Sequence, residues 1–364
     1  MPKYIYQYPN WTDFKWNFDS INAVFGEVRR LQGKIAGQMD ALGFSMKEEA
    51  QLSTLTLDVV KSSEIEGEHL NLNQVRSSIA RRLGINAAGL VPSDRHVEGV
   101  VEMMMDATQH HSEILTHERL FGWHSALFPT GYSGMHKIEV AQYRTGEMQV
   151  VSGAMGKERV HYEAIEASKV HVEMSAFLDW FNTDYTMDPV LKAAVAHFWF
   201  IIIHPFDDGN GRIARAITDM QLTRSEGRSE RFYSMSNQIL TEKKLYYHIL
   251  QKVQHSDNDI TDWVDWFLNC LKNALLVSEK TLERVLDKAN FWKKHEDTAI
   301  NERQRFMINK LFDGFEGKLK SSKWAKMMKC SNDTALRDIK DLISKGILEQ
   351  ESSGGRSTNY LLIE

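Results

Sequence analysis

Apolar residues recur every three or four positions from Asn17 to Gly43. Ile21, Val24, Phe25, Val28, Leu31, Ile35, Met39 and Leu42 share one face, and Gly43 is placed to end the helix they predict. Ser45, with Glu48 three residues on, reads as a capping box for a second helix carrying Leu52, Leu55 and Val59 toward Ser62–Gly67. Asn71 is suited to cap a third helix, which Gly84 would end, and Ile85–Asp94, with Gly89 and Pro92, reads as a connector. The same periodicity predicts helices over roughly residues 95–113, 116–127, 165–183, 189–202, 210–225, 241–255 and 259–285. Between Ala141 and Val160 the pattern changes. Gly146, Gly153 and Gly156 punctuate a β-type run, Met148–Ser152, which predicts a hairpin that either serves a site or merely decorates the surface.

No proline follows Pro205, so helices can run on with few breaks. Residues 301–313, 322–329 and 332–345 have helical spacing, with Ser322 and Asn332 as expected caps. Ile347–Glu351 and Asn359–Ile363 read as strands joined across Ser-Ser-Gly-Gly-Arg. Three helices followed by a hairpin is the outline of a winged helix. Residues 301–364 carry 12 Lys+Arg against 9 Asp+Glu, a balance of +3, while the whole chain is at −5. Winged helices contact DNA or other proteins, and both partners stay open.

Three domains are therefore expected: 1–94, an N-terminal helical region; 95–290, a helical body with the hairpin; and 300–364, the winged helix. Hydrophobic residues at 42% and charged residues at 26% give a globular chain and exclude a disordered one. The net charge of −5 argues against a surface given over to nucleic acid or membrane. Two cysteines, Cys270 and Cys330, exclude a disulfide framework and a cysteine-based zinc site. The apolar run Phe198–Ile203 is too short to span a bilayer, and Met1–Trp11 lacks the basic-then-apolar order of a signal peptide, so a cytoplasmic protein is expected.

The chemistry is concentrated in His204-Pro205-Phe206-Asp207-Asp208-Gly209-Asn210-Gly211-Arg212-Ile213-Ala214-Arg215. This stretch joins one apolar helix to the start of another. A helix N-terminus offers free N–H groups and a positive dipole end, which together suit an anion. Gly209 and Gly211 permit close backbone approach, and Arg212 and Arg215, three apart, share a face of the first turns. Two guanidinium groups beside such a nest suit a polyphosphate. Asp208 offers a hard oxygen to Mg²⁺, and His204 is the one group in the stretch that can act as a base near neutral pH.

The stretch resembles the signature of the Fic (Fic/Doc) family, HxFx(D/E)GNGRxxR, with every defined position matched. The resemblance implies a helical fold with a β-hairpin flap and an adenylyltransferase that moves AMP from ATP to a hydroxyl side chain of a target protein. His204 would deprotonate that hydroxyl. Asp208 would hold Mg²⁺ against the α- and β-phosphates. The backbone at Gly209, Asn210 and Gly211 would cradle the phosphates, with the Asn210 side chain at the α-phosphate, and Arg212 and Arg215 would grip the β- and γ-phosphates. The flap, Met148, Gln149, Val150 and Val151, would hold the target main chain by strand addition. A proline usual just after the flap is replaced by Ala164-Ile165. Tyr246-Tyr247 falls where the family lines the adenine pocket, although a plain core pair fits equally.

Ser62-Ser63-Glu64-Ile65-Glu66-Gly67 is similar to the family's inhibitory motif, (S/T)xxxE(G/N), matched at Ser62, Glu66 and Gly67 and lying ahead of the catalytic stretch, as in the N-terminal-inhibited class. Glu66 paired with Arg215 would occupy the arginine meant for the γ-phosphate. The same glutamate could activate water for AMP removal. The region to about residue 85, with Trp11, Phe14 and Trp16, also resembles that found with many bacterial Fic proteins. A homodimer and self-modification are expected by resemblance alone. Two alternatives stand: a Fic enzyme transferring another group such as UMP, and a nucleotide-sensing DNA-binding regulator acting through the winged helix. The 14 histidines contain no HExxH pattern, which weakens a metalloenzyme reading.

Overall fold

The structure is a computed structural model and describes residues 2–40, 44–85, 90–152, 159–183, 185–312, 315, 317–351 and 359–363. By compactness the chain divides into residues 1–278 and 279–364.

In the first unit a short N-terminal segment leads to α1 (Phe18–Asp40), α2 (Phe44–Ile65) and α3 (Leu72–Leu83). Asn71 caps α3 by accepting from the Asn73 and Gln74 amides, and Gly84 closes it in the left-handed conformation. α2 is already helical at Phe44, so Ser45 lies inside the helix and not ahead of it; Gly43 falls outside the described residues. Next come α4 (Arg95–Gln109), capped by Asp94, and α5 (His117–Leu127), capped by Thr116. α4 stops four residues short of the expected end, where the His110 ring turns back to Asp106 at 3.0 Å.

Four strands follow in two hairpins. β1 (Tyr132–Ser133) pairs with β2 (His136–Lys137), a hairpin too short to leave a period in the sequence. β3 (Gln149–Ser152) pairs antiparallel with β4 (Arg159–Glu163), with a register shift after Val150. Met148 lies just before β3; Gly153 and Gly156 fall outside the described residues. Tyr162 fastens this flap from below, its buried hydroxyl donating to the Ile202 carbonyl at 2.7 Å. The Ala164 N–H donates to Met148 O at 2.9 Å, a bond that a proline at that position would forfeit.

The centre is α7 (Pro189–Ile203), which follows α6 (Ala167–Thr183). Every residue from Val190 to Ile203 is buried, as its apolar character on all sides requires. Trp11 and Phe14 of the N-terminal segment pack edge-on against Trp199 at 6.0 and 5.7 Å. α8 (Asn210–Glu226) packs on α7, and α9 (Met235–Thr241) packs on α2. The helix expected over 241–255 begins later, as α10 (Lys243–Gln254), because α9 ends just ahead of it. α11 (Thr261–Lys294) outruns its expected end at 285. Among the described residues no helix is long and apolar enough to cross a membrane.

One buried ionic cluster ties α2 to α8. Arg231 donates to Asp58 at 3.1 Å and to Asp219 at 2.5 Å, and all three side chains are at most 2% exposed. Burial, with Asp219 beside it, pushes the Asp58 carboxyl up to about 7. Asp58 lies one turn before Ser62, and Asp219 one turn after Arg215, so the cluster braces the two helices that carry the motifs. Removing one member of a buried ion group costs about 3–5 kcal/mol, because the remaining charge stays buried and unpaired. Arg231→Met is expected to lose stability on that scale, read by denaturant unfolding.

The second unit contains α12 (Glu302–Phe312), α13 (Ser321–Met327), α14 (Asn332–Ser344) and the antiparallel pair β5 (Leu348–Gln350) and β6 (Tyr360–Leu362). They share a core of Met307, Ile308, Trp324, Ile339 and Leu342. Two expected caps are displaced by one or two residues. Ser331, not Asn332, caps α14, accepting from the Thr334 amide, because the helix already includes Asn332. α13 already includes Ser322, and Lys320 precedes it without a side-chain cap. The Ser-Ser-Gly-Gly-Arg turn falls outside the described residues.

Candidate active site

α7 ends at His204, whose backbone takes the left-handed conformation (φ 50°, ψ 60°) with its N–H returned to Phe200 O. Pro205, which has no N–H, follows, and Phe206 drops into the core. There Phe206 lies flat against His124, ring centres 4.3 Å apart. Asn210 closes the loop on itself: Oδ1 accepts from the Phe206 amide at 2.9 Å and Nδ2 donates to the Phe206 carbonyl at 2.7 Å. These bonds use one of the two Nδ2 protons and one Oδ1 lone pair, and Asn210 also borders the cavity described below. Gly209 has φ +81°, and a Cβ there would meet the Phe128 ring at 2.9 Å. α8 starts directly after it with no side-chain cap, which leaves its first-turn N–H groups for a ligand.

Asp208 is held at both oxygens, one by the Ser133 hydroxyl of β1 and the other by the Gly209 N–H. His124 supports the same residue from behind, with Nε2 at 3.2 Å from Asp208 O and Nδ1 accepting from Ala141 N at 3.3 Å. Since Nδ1 accepts, Nε2 carries the proton. Burial pushes this ring down to about 4, so it braces the loop as a neutral side chain. Ser133 and His124 carry no sequence signal; only the fold brings them to residue 208.

The Ser62–Gly67 stretch meets the arginines. Arg215, 2% exposed, donates from Nε to Ser62 Oγ at 2.8 Å and from Nη2 to Ser62 O at 2.9 Å and Glu66 Oε1 at 2.8 Å. Gly67, at φ +86°, then turns the chain back and delivers Glu68 to Arg212, with Nη1 to Oε2 at 2.6 Å. Sequence reasoning missed Glu68, because its pairing depends on that turn. Burial works against the Glu68 carboxylate, but His96 at 3.4 Å and Arg212 hold it below the usual range. Among the described residues, Arg212 Nε and Arg215 Nη1 are buried without a hydrogen-bond partner, and neither arginine borders the cavity described below. Gly211 is required here: a Cβ would lie 2.1 Å from Glu66 Oε1.

Glu66, His204, Asp208, Gly209, Asn210 and Gly211 border one cavity of about 650 Å³, within the usual range for a small-molecule site. Val150 and Val151 of the flap reach its wall, and Met148 and Gln149 do not. Both tyrosines line the cavity: Tyr246 is buried, its hydroxyl 3.0 Å from His197 Nε2, and Tyr247 is 42% exposed. His204 Nδ1 lies 3.3 Å from Ile201 O, an atom that only accepts, so Nδ1 carries the proton and Nε2 is free as a base. Burial, with Arg144 adding to it, pushes His204 down to about 4 against the opposing pull of Glu66 and Asp208.

No group of three metal-ligating side chains occurs among the described residues. The donor set at residue 208 is one carboxylate. It fits Mg²⁺, which takes one or two carboxylates and completes its shell with phosphate oxygens and water, and does not fit a cation held by protein alone.

Residues 114–222 match the Fic/DOC family, and residues 4–85 match a domain of unknown function (DUF4172). The protein adenylyltransferase fic-1 of Caenorhabditis briggsae is 26% identical over 231 residues, 58% of this chain and 41% of that protein. The protein adenylyltransferase Fic of Drosophila willistoni is 33% identical over 117 residues, 32% of this chain and 20% of that protein. The chain spans less than half the length of these curated relatives. Among solved structures, a Fic family protein from Desulfovibrio desulfuricans shares the fold with a TM-score of 0.53 at 20% identity, over 94% of this chain and 95% of that one.

Proposed function

From residues 114–222 as a Fic/DOC-family domain in a mainly helical chain, we propose that this protein transfers AMP from ATP to a Ser, Thr or Tyr hydroxyl of a target protein and restrains itself through Glu66. The observation that carries the reading is one cavity bordered by His204, the uncapped N-terminus of α8 and Glu66, with Glu66 seated on Arg215.

The exposed side of the flap at Val150 and Val151 takes the target main chain as an added strand and brings its hydroxyl to the cavity. His204 Nε2 receives the hydroxyl proton. The hydroxyl oxygen bonds to the α-phosphorus, the bond to the bridging oxygen breaks, and pyrophosphate leaves. The α8 N-terminus stabilises the phosphate charge that this displacement moves, joined by Arg212 and Arg215 once their buried, unpartnered donors turn to the cavity. Mg²⁺ held by Asp208 supplies further charge neutralisation when bound. Tyr247 offers a ring face to the base. In the second unit, three helices ahead of a two-stranded hairpin on one core support a winged helix, a module for partner contacts.

The test supplies full-length protein with Mg²⁺ and ATP labelled at either the α- or the γ-phosphorus. AMP transfer puts only the α-label on protein; γ-label on protein would make the reaction a phosphoryl transfer.

The depressed His204 gives a pH prediction. A base is active when unprotonated, and losing Glu66 removes one of the groups that raise His204, so the acid limb of kcat/KM in Glu66→Gly protein is expected at or below pH 4. A limb near 6.5, the ordinary histidine value, would show that the ring is solvated.

A further inference from the structure

Arg144 lies ahead of β3 and belongs to neither the catalytic nor the inhibitory motif. It is 2% exposed, and among the described residues no carboxylate stands within ion-pair distance. Its guanidinium donates to carbonyl oxygens alone: Nε to His204 O at 2.8 Å, Nη1 to Gly146 O at 2.9 Å, and Nη2 to Ile165 O. Its own N–H donates to Pro205 O at 2.9 Å. Burying a cation without a counter-ion is costly, and burial duly holds this arginine below its usual range.

The three carbonyls belong to three different places. His204 O is at the turn where α7 stops, Gly146 O is on the way into the flap, and Ile165 O is just past its exit. His204 is a non-glycine residue at φ 50°, a conformation an L-residue holds only when its surroundings impose it. A planar fork with fixed donor directions can impose it on the carbonyl side; a lysine, with one ammonium on a flexible stem, cannot reach all three oxygens.

We propose that Arg144 is the positioning residue that locks His204 in its left-handed turn and ties both ends of the flap to it, so that the base and the strand receiving the target stay in register. The word base rests on the transferase reading above; the tie itself does not. The charged groups facing the His204 ring are Arg144, Glu66 and Asp208. Arg144 disfavours the imidazolium, and the two carboxylates favour it.

The experiment uses the full chain with Arg144→Lys and Arg144→Gln. The His204 ring is titrated by NMR, its signal assigned with His204→Ala, and exchange of the flap amides is followed. In the Glu66→Gly background, kcat and ATP affinity are also measured. Arg144→Gln is expected to move the His204 midpoint upward and Arg144→Lys to leave it close to the parent, since only the first removes the charge. Both are expected to speed exchange at Gln149–Val151 and to lower kcat by about 10²-fold, the scale of a 1 Å misplacement, with ATP affinity near the parent's. An unmoved midpoint and parental flap exchange in Arg144→Gln would overturn the proposal. So would a loss of kcat accompanied by an equal loss of ATP affinity and of thermal stability, the mark of a general packing defect. If Glu66→Gly protein transfers no AMP, the transferase reading fails, and the titration and exchange still decide the role of Arg144.

Discussion

Glu66→Gly is expected to raise AMP transfer about 100-fold over wild type, measured as α-³²P label on protein, with ATP affinity changing far less. In the present geometry Arg215 Nη2 is shared between Ser62 O and Glu66 Oε1, and the Glu66 carboxylate projects against Gly211 where the phosphates should pass. ATP can then enter only with its tail displaced, and a displacement of about 1 Å from in-line geometry costs on that order in rate. Glycine removes the carboxylate and leaves Arg215 on Ser62, already aimed. Release is expected to be incomplete, because Arg212 remains paired with Glu68. Glu68→Gln alone should have a small effect, since Glu66 still blocks Arg215, and should add to the gain in the Glu66→Gly background. We propose that the Glu66 carboxylate also activates water for AMP removal, an activity that should then disappear in the same variant that transfers best. A Glu66→Gly protein that neither transfers faster nor loses AMP removal would end the assignment of this glutamate as a restraint.

The loop from His204 to Arg215 was legible as a unit because its parts are local. A histidine at a helix end, two glycines and two arginines at the start of the next helix lie within twelve residues, so spacing alone places them on one loop. The two carboxylates facing those arginines lie some 150 positions earlier. Glu66 could be anticipated from its motif, but Glu68 depended on the left-handed turn at Gly67, which six common residues do not announce. Asn210 has a structural part that spacing does not announce: its side chain closes hydrogen bonds to the Phe206 N–H and carbonyl, which would otherwise be buried and unpaired. Ser133, His124 and Arg144 act through bonds to distant parts of the chain and leave no period or spacing to read. Helix ends moved by one to several residues for a related reason: either of two neighbouring residues, as Ser331 and Asn332, can cap, and tertiary packing chooses.

His204→Ala in the Glu66→Gly background is expected to lower transfer by about 10²–10⁴-fold, the usual contribution of a positioned general base. Two neighbouring side chains are poor substitutes. Asp208 is held at both oxygens by Ser133 and Gly209, and His124 is turned to the backbone with its accepting nitrogen already occupied. His204 combines a neutral ring, a free Nε2 and a place on the cavity wall, which it shares with His161 and His248. Because its role lies in the proton transfer and not in holding phosphate, ATP affinity by calorimetry should stay near that of the Glu66→Gly parent, with the loss falling on kcat. A loss falling on ATP affinity instead would make His204 a binding residue. Transfer that persists at the parent's rate would mean that the target hydroxyl loses its proton elsewhere, and the in-line displacement would then owe its rate to positioning and charge alone.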